Sequence, residues 1–252
     1  MEAEQLEFKN RQGKRLLCTL RIPQGEVRGT ALVVHGLAGW REQSTVVTIA
    51  TALTSSGYTT LTFDGADCLR GPDAHFPSAT TTGFLEDTED VLTFMRGAPW
   101  FQGPFILAGH SLGALVAAHL EHRHPGTAAK LLLVAPAVCW YKDRSGKFLK
   151  RLRFLSHRVR TMKGEGVFMP IYPKWALDYF SYDIRKDAPH CECPAFIISA
   201  GDDLTVAREH EHEKLTELFP QAAHVIIPKA THTFVKHEAE LTDTITQWLT
   251  SS

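Results

Sequence analysis

The sequence lacks the features that define several protein classes. It has five cysteines in 252 residues, and an odd number without a repeating frame suits a reducing compartment better than a disulfide scaffold. No stretch reaches the roughly 18 uninterrupted apolar residues of a membrane span, and the acidic first residues contain no apolar signal segment. The formal net charge of -1 provides no electrostatic case for nucleic acid or an acidic membrane surface. We therefore expect a soluble, cytoplasmic protein that acts on a small molecule, without membrane or nucleic-acid partners.

The sequence also offers little that would bind a metal. Cys191 and Cys193 form one close pair of thiols. A structural zinc site takes four ligands, and no second matched pair completes the set. We expect neither a metal nor a cofactor.

An apolar run from Phe105 to Ala117 is interrupted by the motif Gly109-His110-Ser111-Leu112-Gly113. The residues before the motif have the pattern of a buried strand, and those after it have helical spacing, which predicts a strand, a sharp turn and a helix. Such a pentapeptide also occurs by chance in loops, so the prediction depends on these flanking elements. In this turn the serine side chain is lifted clear of the backbone, where it can act as a nucleophile, and the Leu112 amide, in the first helical turn, can bind a developing negative charge. The motif therefore predicts a nucleophile and half of an oxyanion hole.

Two antiparallel strands open the chain, and apolar strands then alternate with amphipathic helices. This alternation predicts an α/β fold with an eight-stranded, mostly parallel sheet flanked by helices. The length suits one domain over residues 1–252,. The predicted strands are Leu6–Lys9, Leu16–Ile22, Thr30–Val34, Tyr58–Asp64, Phe105–Ala108, Lys130–Ala135, Ala195–Ser199 and Ala223–Ile227.

The connection over residues 138–194 is too long for an ordinary loop and rich in aromatic residues. In a compact domain such a connection is usually an active-site lid. We identify Trp140, Trp175 and Tyr179 as candidates to contact the acyl group of a substrate. We expect most of the lid aromatics to form the core of the lid itself, and the sequence leaves open which of them face substrate.

His35-Gly36-Leu37 follows the third strand, at the sheet edge where ligands bind in open α/β sheets,. Leu37 is the best candidate for the second oxyanion amide. The alternative is that Gly36 simply ends the strand in a tight turn.

The chain has 13 histidines, and position selects His232 as the general base. It lies in the loop between the last strand and the last helix, at the same sheet edge as Ser111. His110 is expected to be a packing residue. His210 and His212 lie two residues apart on a predicted helix, which argues against a shared metal and favours a solvated helix face for both.

Two adjacent aspartates, Asp202 and Asp203, follow the seventh strand, where the acid that orients the histidine is expected. Only one of them can point at His232. We favour Asp203 for its spacing to the next helix, and expect Asp202 to cap the loop or the helix.

Ser111, Asp203 and His232 occur in the chain order of the α/β-hydrolase superfamily, and the resemblance covers nearly the whole chain. Within the superfamily the sequence most resembles the cinnamoyl and feruloyl esterases. The matching segments include Gly13–Leu17, His35–Leu37, Phe63–Gly65, Gly109–Gly113 and Thr231–Phe234.

This resemblance implies a serine hydrolase that cleaves small carboxylic esters, of aryl or hydroxycinnamoyl type, through an acyl-enzyme. Thioesters and small peptides or amides are alternative substrates, because the same triad attacks all of these acyl groups. A ligand-binding protein that retains the fold without catalysis is an alternative of another class. The sequence leaves the oligomeric state open, and a homodimer is one of the possible states.

Overall fold

Eight strands form one sheet in the computed structural model, which describes residues 2–138, 173–206 and 209–250. The strands are β1 Glu2–Lys9, β2 Arg15–Ile22, β3 Gly29–Val34, β4 Tyr58–Phe63, β5 Phe105–His110, β6 Lys130–Val134, β7 Ala195–Ala200 and β8 Ala222–Ile227. Their order across the sheet is β1-β2-β4-β3-β5-β6-β7-β8. The pairs β1·β2 and β2·β4 are antiparallel, and the other pairs are parallel. The predicted eight-stranded, mostly parallel sheet is confirmed.

Helices cover both faces of this sheet. The α-helices are α1 Ser44–Ser55, α2 Thr81–Arg96, α3 Leu112–Arg123, α4 Pro173–Tyr179, α5 Ile184–Asp187, α6 Glu209–Thr216 and α7 Glu238–Thr250. One apolar layer joins the sheet to α2 and α3, and the other joins it to α1 and α7. The central strands β3, β4 and β5 are buried along their whole length because helices lie on both sides. This explains why β3 and β5 are mostly apolar, whereas β4 also buries three threonines,.

Helix α2 begins three residues before the apolar spacing indicates. The Thr80 side chain accepts a hydrogen bond from the Gly83 amide at 2.9 Å. This N-cap satisfies one of the free amides of the first turn, so the helix starts at Thr81 rather than Phe84,.

Most of the predicted lid, residues 139–172, lies outside the described residues. The described remainder contains α5, which packs on α3, and α4, which is tied to the start of α2. Asp178 accepts hydrogen bonds from the amide and the hydroxyl of Thr82, at 2.9 and 2.5 Å, and the Tyr182 hydroxyl lies 2.7 Å from the same threonine hydroxyl. These contacts fix the end of the predicted lid segment to the first turn of α2.

Candidate active site

Ser111 occupies the sharp turn between β5 and α3, with φ 57° and ψ -118°. This conformation is costly for a residue with a side chain, and close packing around it maintains the turn. A Cβ at Gly109 would overlap the Gly113 backbone, and a Cβ at Gly113 would overlap the carbonyl of Val34. Only glycine at both positions lets the helix approach β5 and β3 this closely.

Ser111, His232 and Asp203 form a continuous chain of hydrogen bonds. Ser111 Oγ lies 2.9 Å from His232 Nε2, and His232 Nδ1 lies 2.7 Å from Asp203 Oδ2. The three residues follow β5, β8 and β7, at the carboxyl edge of the parallel strands,. Ser111 and His232 are 8% and 5% exposed, so the chain lies mostly out of water.

The carboxylate that meets His232 belongs to Asp203. Its other oxygen accepts hydrogen bonds from the amides of Thr205, at 2.7 Å, and Val206, at 3.3 Å. Burial by itself raises the pKa of Asp203, but the hydrogen bond and charge of His232, together with these two amides, hold that pKa below its usual value,. Asp202 is exposed, and its backbone amide donates to the carbonyl of Ala230 at 2.8 Å, which joins the loop after β7 to the loop after β8.

The loop that carries His232 is braced from two sides. His110 Nε2 lies 2.8 Å from the carbonyl of His232, and the Thr45 hydroxyl donates to the carbonyl of Thr233 at 2.6 Å. Burial, and then the nearby His232, lower the pKa of His110 to about 3. A neutral His110 therefore donates through Nε2 to the His232 carbonyl, as a packing residue that supports the loop.

Leu37 and Leu112 flank Ser111. Leu112 is the first residue of α3, so its amide has no acceptor within the helix. The Gly36-Leu37 turn lies against the serine, because a Cβ at Gly36 would be 3.2 Å from the Ser111 Cβ. His35 shapes this turn: its Nδ1 lies 2.7 Å from the Gly36 carbonyl, and its Nε2 accepts from the Gly65 amide at 3.2 Å. Burial lowers the pKa of His35, which keeps the ring neutral and suits one nitrogen to donate and the other to accept.

A cavity of about 250 Å³ lies beside Leu37 and Leu112. Leu37, Leu112 and Trp175 form part of its wall, and the wall also carries polar and charged side chains. Tyr179 is buried and stacks on Trp175, with ring centroids 5.0 Å apart and planes inclined by 15°. Of the three lid aromatics predicted to contact substrate, Trp175 lines the cavity, Tyr179 lies in contact with Trp175, and Trp140 is outside the described residues.

Asp87, which the sequence analysis did not single out as a site residue, also lines the cavity. Its carboxylate is buried and accepts from Asn10 Nδ2 and the Ala66 amide, both at 2.7 Å. Burial raises its pKa to about 6. The signal was present in the sequence, because Asp87 lies four and eight residues before the buried Val91 and Met95, on the apolar face of α2,.

The prediction of a solvated helix face is wrong for His212. This residue is 1% exposed, and its ring nitrogens contact Ser199 Oγ and the Pro136 carbonyl at 2.6 and 2.9 Å. The charged neighbours of His212 in sequence suggest an exposed helix, whereas the fold turns this one side chain toward β7.

The described residues contain no group of three or more histidine, cysteine or acidic side chains placed to hold a metal ion. Cys191 and Cys193 are buried, and burial raises the pKa of both thiols, that of Cys193 to about 12. They are therefore protonated at neutral pH. No helix in the described part of the chain combines the length and apolarity needed to cross a bilayer.

Solved structures with the same fold include several hydrolases. Est1E from Butyrivibrio proteoclasticus, solved with ferulic acid bound, has a TM-score of 0.80 and 16% identity, with 98% of each chain covered. An α/β serine hydrolase homologue from Coxiella burnetii has a TM-score of 0.71 and 19% identity, with 98% of this chain and 97% of that chain covered. A serine hydrolase without a lid from Xanthomonas campestris has a TM-score of 0.67 and 19% identity, with 98% of this chain and 93% of that chain covered. These likenesses confirm the α/β-hydrolase fold and the resemblance to feruloyl esterases.

No curated protein matches the sequence. The family described as "Serine aminopeptidase, S33" matches residues 25–179, which is more than half of the chain. The chain therefore belongs to the serine aminopeptidase S33 family and is a serine hydrolase of the α/β-hydrolase superfamily.

Proposed function

We propose that this protein hydrolyses carboxylic esters of aryl or hydroxycinnamoyl type through an acyl-enzyme on Ser111. The observation that carries the proposal is the hydrogen-bonded chain from Ser111 Oγ through His232 to Asp203, at 2.9 and 2.7 Å. A serine hydroxyl is a weak nucleophile by itself, and an adjacent imidazole held by a carboxylate is the arrangement that activates it.

Each residue has one role in the proposed reaction. Ser111 Oγ attacks the ester carbonyl while His232 Nε2 takes its proton, and the amides of Leu37 and Leu112 stabilise the oxyanion of the tetrahedral intermediate. The intermediate expels the alcohol, to which His232 returns the proton. Water, activated by the same histidine, then attacks the acyl-enzyme and releases the acid. Asp203 keeps the hydrogen of His232 on Nδ1 and stabilises the imidazolium that forms.

Two observations support an aryl acyl group. Est1E, which shares the fold, was solved with ferulic acid bound. In this protein the cavity beside Leu37 and Leu112 has a volume of about 250 Å³ and the flat ring of Trp175 in its wall. Such a cavity suits a small aromatic acid better than a long alkyl chain.

A second candidate function is the hydrolysis of aminoacyl amides or small peptides, which the serine aminopeptidase description of the family favours. Acyl thioesters are a further alternative for the same nucleophile. In either case the reaction proceeds through an acyl-enzyme on Ser111, and the acyl group and the leaving group are those of the substrate.

A substrate panel tests the proposal. Initial rates are measured on p-nitrophenyl and methyl cinnamates, an acyl thioester and an aminoacyl p-nitroanilide, with Ser111→Ala as the background control. We expect the highest kcat/KM on the aryl esters. Treatment of the protein with a metal chelator should leave this activity unchanged. Preference for the anilide would replace the ester proposal with the peptidase one. Labelling of wild-type protein by a fluorophosphonate probe distinguishes an enzyme from a ligand-binding protein, which has no need of an activated serine.

A further inference from the structure

A buried chain of hydrogen bonds lies behind the candidate site and connects three neighbouring strands. It runs from His224 on β8 to Ser199 on β7, over 2.7 Å, and from Ser199 to His212 on α6, over 2.6 Å. It ends where His212 Nε2 meets the carbonyl of Pro136, after β6, at 2.9 Å. Ser199 and His212 are each 1% exposed, so water does not compete for the bond between them, whereas His224 at the far end is half-buried.

The acceptor at the end of the chain determines the direction of every bond. A carbonyl oxygen only accepts, so the hydrogen of His212 is on Nε2. Nδ1 of the neutral ring then accepts from the Ser199 hydroxyl, whose oxygen accepts in turn from His224 Nε2. All donors and acceptors are satisfied when His212 is neutral.

The charged and titratable groups near His212 are consistent with this state. Burial, together with smaller effects of the nearby His224 and His232, lowers the pKa of His212 to about 4. The Pro136 carbonyl and Asp203 act in the opposite direction. The ring is therefore neutral over the pH range in which a serine hydrolase works.

Pro136 belongs to the segment that holds the backbone of Ser111. The Ala137 amide donates to the Ser111 carbonyl at 3.0 Å, and the Ser111 amide donates to the Val134 carbonyl at 2.9 Å. Ser111 has a positive φ of 57°, a conformation that persists only when surrounding contacts hold it. The hydrogen bond from His212 holds Pro136, whose neighbour Ala137 makes one of these contacts with Ser111.

We propose that His212 is a positioning residue for Ser111. By holding the Pro136 carbonyl, it keeps the Ala137 amide on the Ser111 carbonyl, and so keeps Ser111 Oγ in line with His232 Nε2. This inference rests on the proposed function, in which Ser111 is the nucleophile.

Two substitutions separate the two bonds of the ring. In His212→Gln the side-chain amide reaches the position of Nε2 and can still donate to Pro136, but Ser199 loses its acceptor. In His212→Asn the shorter side chain can accept from Ser199 but does not reach Pro136. Both variants replace a buried imidazole with an amide, so each is the control for the other.

We expect kcat of His212→Asn on a p-nitrophenyl ester to fall by roughly tenfold to a hundredfold, the scale of a small misplacement of a reacting group, with KM nearly unchanged. His212→Gln should keep most of kcat, even if both variants lose the same thermal stability. Hydrogen exchange at the Ala137 amide should accelerate in His212→Asn and not in His212→Gln. Equal kcat and equal exchange in the two variants would overturn the proposal, since the bond to Pro136 would then have no separate effect.

A measurement on the unaltered protein decides the case if a variant does not fold. NMR of protein labelled with ¹⁵N-histidine should show His212 neutral, with its hydrogen on Nε2, at pH 7. A neutral ring with its hydrogen on Nδ1 could not donate to the Pro136 carbonyl and would overturn the proposal. The exchange and NMR measurements do not depend on catalysis, so a wild-type protein inactive on every substrate would contradict the proposed function while these readouts still decide the role of His212.

Discussion

Ser111 has the unfavourable backbone geometry expected of a nucleophile presented on a sharp turn. Its positive φ of 57° directs the side chain toward His232, its amide is bonded to Val134 at the end of β6, and its carbonyl is bonded to Ala137 in the segment after β6. The strain at this residue is therefore offset by hydrogen bonds of its backbone, whereas its hydroxyl is hydrogen-bonded to His232.

Because the hydroxyl of Ser111 is the attacking group of the proposed mechanism, Ser111→Ala should remove on the order of 10⁶ of turnover on a p-nitrophenyl ester. The backbone contacts remain, so the melting temperature should change little. Rates with matched thermal unfolding curves check this prediction. Near-normal hydrolysis by a folded Ser111→Ala protein would contradict the proposed nucleophile.

The adjacent aspartates differ in what they contact, and this difference predicts different effects. Asp203→Asn removes the carboxylate that bonds His232 Nδ1 at 2.7 Å, so the wrong tautomer of the imidazole is favoured, at a cost of about 10⁴ in kcat in a related triad. Asp202 is exposed and bonds through its backbone, so Asp202→Asn should keep most activity. Assaying both variants on one ester checks the pair, and an inactive Asp202→Asn beside an active Asp203→Asn would reverse the assignment.

At the scale of elements, helix α4 connects the cavity to the core. Trp175 lines the cavity, and its neighbour Tyr179, one turn later, is 4% exposed and stacks on it. Asp178, between them in sequence, holds the helix to Thr82 of α2. Trp175 is itself 5% exposed and packs in the same apolar layer as Tyr179, but of the two only Trp175 also lines the cavity.

We predict that Trp175→Ala changes the ratio of kcat/KM for cinnamoyl over acetyl esters, because only groups in contact with the acyl part can discriminate between the two, typically by tenfold or more. Tyr179→Ala should mainly lower the melting temperature, by the loss of a buried aromatic side chain worth about 3–5 kcal/mol. Kinetics on both esters and thermal unfolding of both variants provide the comparison. An unchanged ratio in Trp175→Ala would place this residue in the core alone.

At the scale of the whole molecule, two buried groups titrate with opposite effects on stability. Asp87 has a pKa of about 6 in the folded protein against 3.8 ordinarily, so its contribution is present at low pH and is lost as the pH rises toward 6. His212 has a pKa of about 4 against 6.5, so its contribution is present above 6.5 and is lost as the pH falls toward 4. Between pH 4 and 6 the two contributions partly cancel.

Asp87→Asn removes the contribution of Asp87 to the pH dependence of stability and leaves that of His212. The melting temperature of this variant should therefore rise more steeply from pH 4 to 6.5 than that of the wild-type protein. Thermal unfolding at half-unit steps of pH checks this prediction, with Asp243→Asn, on the exposed side of α7, as the control for the loss of a carboxylate. Parallel curves for Asp87→Asn and wild type would show that Asp87 does not hold its proton more tightly in the folded state.

Local patterns in the sequence were sufficient for the fold and for the turn that carries Ser111. Continuous apolar strands alternating with amphipathic helices predicted a mostly parallel sheet, because strands buried on both faces need no polar residues. The glycines around Ser111 predicted the sharp turn, because only glycine tolerates the close approach of β5 and α3,. These features depend on residues near one another in the chain, so the sequence by itself determined them.

The tertiary structure alone decided which side chains meet. Asp203 and His232 are 29 residues apart, and Ser111 and His232 are 121 apart; which of two adjacent aspartates reaches the imidazole depends on how the loops after β7 and β8 join. His212 is buried because α6 packs on β7, although the polar sequence around it is typical of an exposed helix. Irregular loops have no periodicity from which the direction of a side chain could be deduced, and a single buried polar residue is stabilised by distant partners that its own segment does not contain.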